Sequence, residues 1–160
     1  MSEPPSAPPE LLAPAGDDRA LRAALAAGAD AVYLGLPQFS ARAFASNFAA
    51  AELRAAIDRA HLFGARVHLA LNVQFKQDEL EPALKALRVP YEDGLDAVIV
   101  ADLGFADLAR RAYPGLALHA STQLGTVSSA QLAWLADLGF SRAVLARELS
   151  LGEIAALDRH

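Results

Sequence analysis

Six continuous apolar runs, each followed by an Ala/Leu-rich stretch, constrain this chain more than any other feature. The runs are Leu11–Ala15, Ala31–Leu36, Val67–Leu71, Ala97–Ala101, Leu116–Ala120 and Ala143–Ala146. A strand wetted on one face alternates apolar and polar residues. An uninterrupted run reads as a strand buried on both faces, as parallel sheets require. Helices are expected over Asp17–Ala27, Ala50–Phe63, Asp78–Tyr91, Phe105–Tyr113, Ser128–Leu138 and Ser150–Arg159. In the second of these, Leu53, Ile57 and Ala60 share one face, while Glu52, Arg54, Asp58 and Arg59 lie largely outside it.

A loose internal repeat punctuates the pattern. Gly28-Ala-Asp-Ala-Val, Gly64-Ala-Arg-Val, Gly94-Leu-Asp-Ala-Val and Gly139-Phe-Ser-Arg-Ala-Val each place a glycine between a helix and a strand, and Gly115 closes the remaining turn. Glycine past a helix end takes the left-handed conformation that other residues avoid. Strand then helix, six times over, predicts an α/β fold with a parallel sheet, specifically a TIM-type (β/α) barrel. Eight units close such a barrel. We therefore read residues 10–160 as a partial barrel of about six units, truncated by about two, behind a flexible tail at 1–9. An open doubly wound sheet is the alternative, but no G-x-G-x-x-G follows the first run. Pro90, inside the third helical stretch, is expected to break or kink it.

Charge and composition narrow the function classes. The net charge is −5 and no block of five like charges occurs, so capture of a nucleic-acid backbone by this segment is not indicated. The chain has no cysteine, which excludes disulfides, thiolate metal sites and a cysteine nucleophile within it. That fits a reducing, cytoplasmic setting. The first nine residues have no basic and apolar signal-peptide pattern, and no run of 18 apolar residues exists, so no membrane partner is expected.

In either α/β architecture the site lies at the carboxyl ends of the strands. Here those ends are polar: Gln38 to Arg42 after the second run, Asn72 and Gln74 after the third, Asp102 after the fourth, His119 to Gln123 at the fifth, and Arg147-Glu148 after the sixth. Asp17, Asp78 and Ser150 are read as helix caps. For Asp102 a cap and a site role are both open. Asn72, His119, Ser121, Gln123, Arg42, Arg147 and Glu148 are taken as site candidates. His119, Ser121 and Gln123 share parity along the chain and so point to one side. His119, titrating near neutral pH, could serve as acid or base. Arg42 and Arg147 could clamp a carboxylate or phosphate, the bland alternative being salt bridges with Asp102 or Glu148. His61 and His68 are read as structural. No H-E-x-x-H zinc signature and no G-x-S-x-G hydrolase context is present.

The chain resembles the peptidase U32 family. The segments that carry the resemblance are Glu10-Leu-Leu-Ala-Pro-Ala-Gly16, Gly28-Ala-Asp-Ala-Val-Tyr-Leu-Gly35, Phe39-Ser-Ala-Arg-Ala43 with Asn47-Phe48, and Leu71-Asn72. Asp96-Ala-Val-Ile-Val-Ala-Asp-Leu-Gly104, Leu118-His-Ala-Ser-Thr-Gln123 and Val144-Leu-Ala-Arg-Glu-Leu-Ser150 follow in family order. The resemblance implies an N-terminal TIM-barrel-like catalytic domain. The family name records a collagenase-like protease. Other members resemble oxygen-independent hydroxylases of a pyrimidine in RNA, or of a ubiquinone precursor, with prephenate as oxygen source in the RNA-modifying members. An iron–sulfur cluster is there implied on cysteines of the C-terminal half, beyond residue 160.

Three functions follow as expectations. The first is the N-terminal part of an RNA hydroxylase. In it Arg42 and Arg147 would grip a small anion such as prephenate, and Asn72, His119 and Gln123 would fix the reacting ring. RNA contact would then come through a C-terminal part. The second is a peptidase, for which the sequence supplies no activated nucleophile. The third is a non-catalytic subunit that pairs through exposed strand edges.

Overall fold

The computed structural model describes residues 8–41 and 47–157. Most of the expected tail, Arg42 and the last three residues lie outside that range. The elements alternate as read: β1 (Leu12–Pro14), α1 (Asp18–Ala26), β2 (Ala31–Gly35), α2 (Ala50–Leu62), β3 (Arg66–Leu71), α3 (Leu80–Glu92), β4 (Ala97–Val100), α4 (Leu103–Ala112), β5 (Ala117–Ala120), a 3₁₀ turn (Thr122–Leu124), α5 (Ser129–Asp137), β6 (Phe140–Ala143) and α6 (Leu151–Leu157).

Local chemistry starts the helices. Asp17 accepts from Ala20 N at 2.7 Å, Asp102 from Phe105 N at 2.8 Å, and Ser128 from Gln131 N at 3.3 Å. The carboxylate of Glu52 reaches back to Ala49 N at 2.8 Å, and that of Glu153 to Ser150 N at 2.8 Å. The repeat glycines Gly28, Gly64, Gly94 and Gly139 stand at φ 85, 74, 92 and 91°, a turn that only glycine makes without strain.

All six strands are parallel and lie in the order β1-β2-β3-β4-β5-β6. This order decides between the two architectures. A doubly wound sheet reverses its order midway, whereas here each strand pairs with the next, and α1–α2, α2–α3 and α3–α4 pack in succession. The fold is of the TIM-type (β/α) barrel class, six units of it, with β1 and β6 at the two edges of the sheet. Val32, Leu34, Val67, Leu69, Leu71, Val98, Val100 and Leu118 join Leu21, Leu53, Ile57, Leu87 and Phe105 in one apolar core between sheet and helices. Residues of the opposite parity face the concave side. Among the described residues no helix is long and apolar enough to cross a membrane.

Three local expectations need correction. The last strand is Phe140–Ala143, not Ala143–Ala146. It is a sheet edge, half wetted, so it lacks the continuous apolar run sought, and a register irregularity at Leu118/His119 offsets it. Arg147 and Glu148 consequently sit out in the following loop. Second, α3 continues through Pro90 to Glu92. The proline falls in the last turn, where its ring is buried in exchange for one lost hydrogen bond. Third, Asp78 is not a cap. Glu79 stands at the start of α3, its carboxylate accepting from Lys76 N at 2.8 Å.

Candidate functional site

The concave face is layered. At its amino-terminal floor Glu10 bridges Arg142 of β6, which donates to both its carboxylate oxygens at 2.7 and 2.8 Å, and Arg66 of β3. The hydrogen-bonded Arg142 guanidinium, with Arg66 assisting, pulls the Glu10 carboxyl from 4.5 down to about 2. Above it lie two imidazoles. His68 of β3 and His119 of β5 are 1 % and 6 % exposed and meet edge to face, with ring centroids 4.6 Å apart. Because β4 lies between their strands, this contact is made across the concave side. Burial, then the neighbouring His68 and Arg142, lowers His119 to about 4, and burial lowers His68 as well. The expectation that His119 titrates near neutral pH is therefore corrected: its ring is uncharged there.

Above the histidines a cavity of about 510 Å³ opens at the carboxyl ends of the strands. Its walls include Tyr33, Gly35, Ala70 and Ile99. Its mouth carries Ser40, Asn47, Asn72, Ser121, Gln123 and Arg147. Asn72 is the hub. Its Oδ1 accepts from Ala41 N at 3.1 Å, pinning the loop after β2, and its Nδ2 reaches Ser121 Oγ at 3.5 Å. Ser121 also accepts from Gln123 N at 3.2 Å, which starts the 3₁₀ turn and presents Gln123 to the cavity. Gly35 leaves the room these side chains need. A Cβ there would stand 2.5 Å from Asn47 Oδ1 and 3.0 Å from Ser40 Oγ. Arg147 lines the mouth and, among the described residues, forms no ion pair with Asp102 or Glu148.

Of the sequence candidates, the structure thus gathers Asn72, Ser121, Gln123 and Arg147 around one cavity and sets His119 one layer beneath. It does not bring in Asp102 or Glu148. Asp102 caps α4 with Oδ1 and accepts from Phe75 N with Oδ2 at 3.2 Å, while Glu148 is exposed and outside the lining. Arg42 lies outside the described residues. His61 pairs with Asp96 at 2.9 Å, away from the cavity, in keeping with a structural role. His68, also read as structural, proves to be the partner of His119. Glu10, Arg66, Arg142, Tyr33, Ser40 and Asn47 were not singled out from sequence. Neither Arg66 nor Arg142 falls inside an apolar run, since each stands just before one, so neither carried a signal in sequence.

The donor set does not fit a metal or an iron–sulfur cluster. The chain has no cysteine, and among the described residues no three of His, Asp or Glu gather as ligands.

Comparison with known proteins adds a context. The family model of peptidase family U32 matches residues 16–160. The chain is 43% identical to a 23S rRNA 5-hydroxycytidine synthase of Escherichia coli (strain K12), over 94% of this chain and 22% of that protein. It is 37% identical to the tRNA hydroxylation protein P of Haemophilus influenzae, over 93% of this chain and 32% of that one. The chain therefore spans about a third or less of the length of these curated relatives. A solved U32 peptidase structure superposes with a TM-score of 0.73 at 14% identity, covering 99% of this chain and 68% of that one, which concerns the fold alone.

Proposed function

The chain belongs to peptidase family U32, and we propose that it forms the substrate-holding barrel of an oxygen-independent hydroxylase acting on a pyrimidine of RNA, with a small anion such as prephenate as oxygen donor. The observation that carries this reading is the cavity itself. It has the size of a small-molecule site, neutral hydrogen-bonding groups at Asn72, Ser121 and Gln123, and at its mouth the Arg147 guanidinium, which forms no ion pair among the described residues. In this reading Arg147 holds a carboxylate of the donor by charge-assisted hydrogen bonds. Asn72 and Gln123 orient the ring, and Ser121 fixes both of them. His119 acts from below as a neutral imidazole, able to donate or accept a hydrogen bond. Asp102 anchors the turn after β3 through Phe75 N and does not touch substrate. Any iron–sulfur cluster of the whole enzyme would be held by residues outside this chain, which would also grip the RNA backbone, while this chain holds the reacting base. A peptidase reading finds little support, because the Ser121 hydroxyl is bonded to Asn72 and Gln123 N and not to a histidine base.

Deleting the gene and profiling the nucleosides of ribosomal and transfer RNA by mass spectrometry tests the proposal. One hydroxylated pyrimidine should disappear and return with the wild-type gene. Arg147→Ala should restore it poorly, at about 10- to 100-fold lower efficiency, from the loss of a hydrogen bond to a charged group. An unchanged nucleoside profile on deletion refutes the function.

A further inference from the structure

The loop after β2 is built around one strained residue. Phe39 has φ 66° and is the one non-glycine residue in the left-handed region among the described residues. Bulky side chains are disfavoured there, while glycine is not. The turn itself therefore gives no reason for phenylalanine, and the reason must lie in the ring. That ring packs on Phe75 with centroids 5.6 Å apart, and Phe75 packs on Phe105 at 4.5 Å. Phe105 is fully buried, Phe39 and Phe75 half-buried, so the three rings run from the core to the rim. On one side of this ridge, Ser40 and Ala41 line the main cavity. On the other, Gln38 and Phe39 join Asp78, Glu79 and Pro82 around a second, more open hollow of about 440 Å³.

Resting on the RNA-hydroxylase reading, we infer that this second hollow takes the nucleobase next to the reacting one, stacked on Phe39 and read through its exocyclic amine by Asp78 and Gln38. The lining chemistry selects this occupant. Among the described residues no lysine or arginine lines the hollow, and two carboxylates do, so it disfavours a phosphate and suits a ligand held by its base. An aromatic face at a rim suits an unstacked base. One Glu79 oxygen accepts from Lys76 N, whereas the exposed Asp78 carboxylate accepts no hydrogen bond among the described residues. A carboxylate accepts from an amine such as that of cytosine and opposes the carbonyl that uracil presents at the same position.

Binding of labelled single-stranded cytidine and uridine dodecamers to the full-length protein, followed by fluorescence anisotropy, tests this. Wild type should bind the cytidine oligomer more tightly. Phe39→Gly, which gives up the packing on Phe75 along with the backbone strain, should remain folded by circular dichroism and bind it roughly tenfold more weakly, and Phe39→Trp should retain binding. Asp78→Asn should bring the two oligomers within about twofold of each other. Equal wild-type affinity for both, wild-type binding by Phe39→Gly, or displacement of RNA from the hollow by an unstructured peptide overturns the inference. If cellular hydroxylation is intact and neither oligomer binds, this inference alone falls. If gene deletion leaves the nucleoside profile unchanged, the RNA-hydroxylase reading falls and takes this one with it.

Discussion

Replacing Glu10 with glutamine removes a negative charge from the floor of the barrel and leaves two guanidiniums facing a neutral amide. The wild-type carboxylate takes two hydrogen bonds from Arg142, at 2.7 and 2.8 Å, and one from Arg66, which hold it at about 2 against an ordinary 4.5. At 1.36 kcal/mol for each tenfold change in acidity, the ceiling is ~3 kcal/mol. Glu10 is 18% exposed, but Arg142 and Arg66 are 34% and 54% exposed, so solvent screens the cluster. We expect Glu10→Gln to cost about 1–2 kcal/mol at pH 7. The sign in pH follows from the direction of the shift. The carboxyl is more acidic in the folded chain than in the unfolded one. Its contribution is therefore full above about pH 4.5 and fades as pH falls toward 2. Urea denaturation of both proteins at pH 7, 5, 4 and 3 checks this, and the gap between them should drop below half by pH 3. Glutamine keeps the shape and one acceptor oxygen, so a gap that stays constant with pH would mean that packing and not charge is lost, and the reasoning would fail.

The two buried histidines act in the opposite range. Their pKa values are lowered on folding, so as pH falls below about 6.5 the unfolded chain takes up protons first, and stability should decline until His119 itself titrates near 4. His119→Leu should flatten that decline in denaturation curves, and unchanged slopes would contradict the burial argument. Gly35→Ala should lower stability by about 1–3 kcal/mol through overpacking and, on the proposed function, weaken RNA hydroxylation in the deletion strain, since its Cβ would stand 2.5 Å from Asn47 Oδ1. Normal melting with normal activity would show that the loop yields freely. Asp102→Ala should cost about 1–2 kcal/mol as a lost cap, while Asp102→Asn should keep most stability and activity. A folded but inactive Asp102→Asn would make Asp102 a catalytic group.

The repeat was legible because each unit carries its own punctuation, and the positions of Gly28, Gly64, Gly94 and Gly139 are local consequences of helix termination. Asn72, Ser121, Gln123 and Arg147 were legible because polar side chains just past apolar runs can reach only the mouth. Asp102 could not be settled from sequence, since an N-cap and a strand-end ligand occupy the same position in a βα unit. Glu10 was invisible for a different reason. It precedes the first strand, and its main partner lies 132 residues away on β6, a pairing set by barrel curvature and by no local pattern. The sixth strand was not legible because its edge position removes the two-sided burial that makes a strand a continuous apolar run.

A finer pattern lay inside the apolar runs. Along β3, Val67, Leu69 and Leu71 alternate with Arg66, His68 and Ala70, and Asn72 continues the second set. The first set belongs to the core under the helices, while Ala31, Ala70 and Ala97 are buried outside that core. The runs look uniform only because alanine counts as apolar. Sorted by size, β3 places large aliphatic side chains outward and small or polar ones inward, while Leu12, Tyr33 and Ile99 of other strands add bulk to the cavity wall. Bulky branched residues commonly fill the inside of such a barrel. Here Gly35 and Ala70 leave the volume that becomes the cavity, and the His68–His119 pair closes it from below. Opposite faces of the same strands thus meet the demand for a core and the demand for a site. A truncation at outward parity, such as Leu69→Ala, takes its toll on stability. A change at inward parity, at Gly35, Ala70 or Asn72, alters what the cavity can hold while the helix-packed core stays intact.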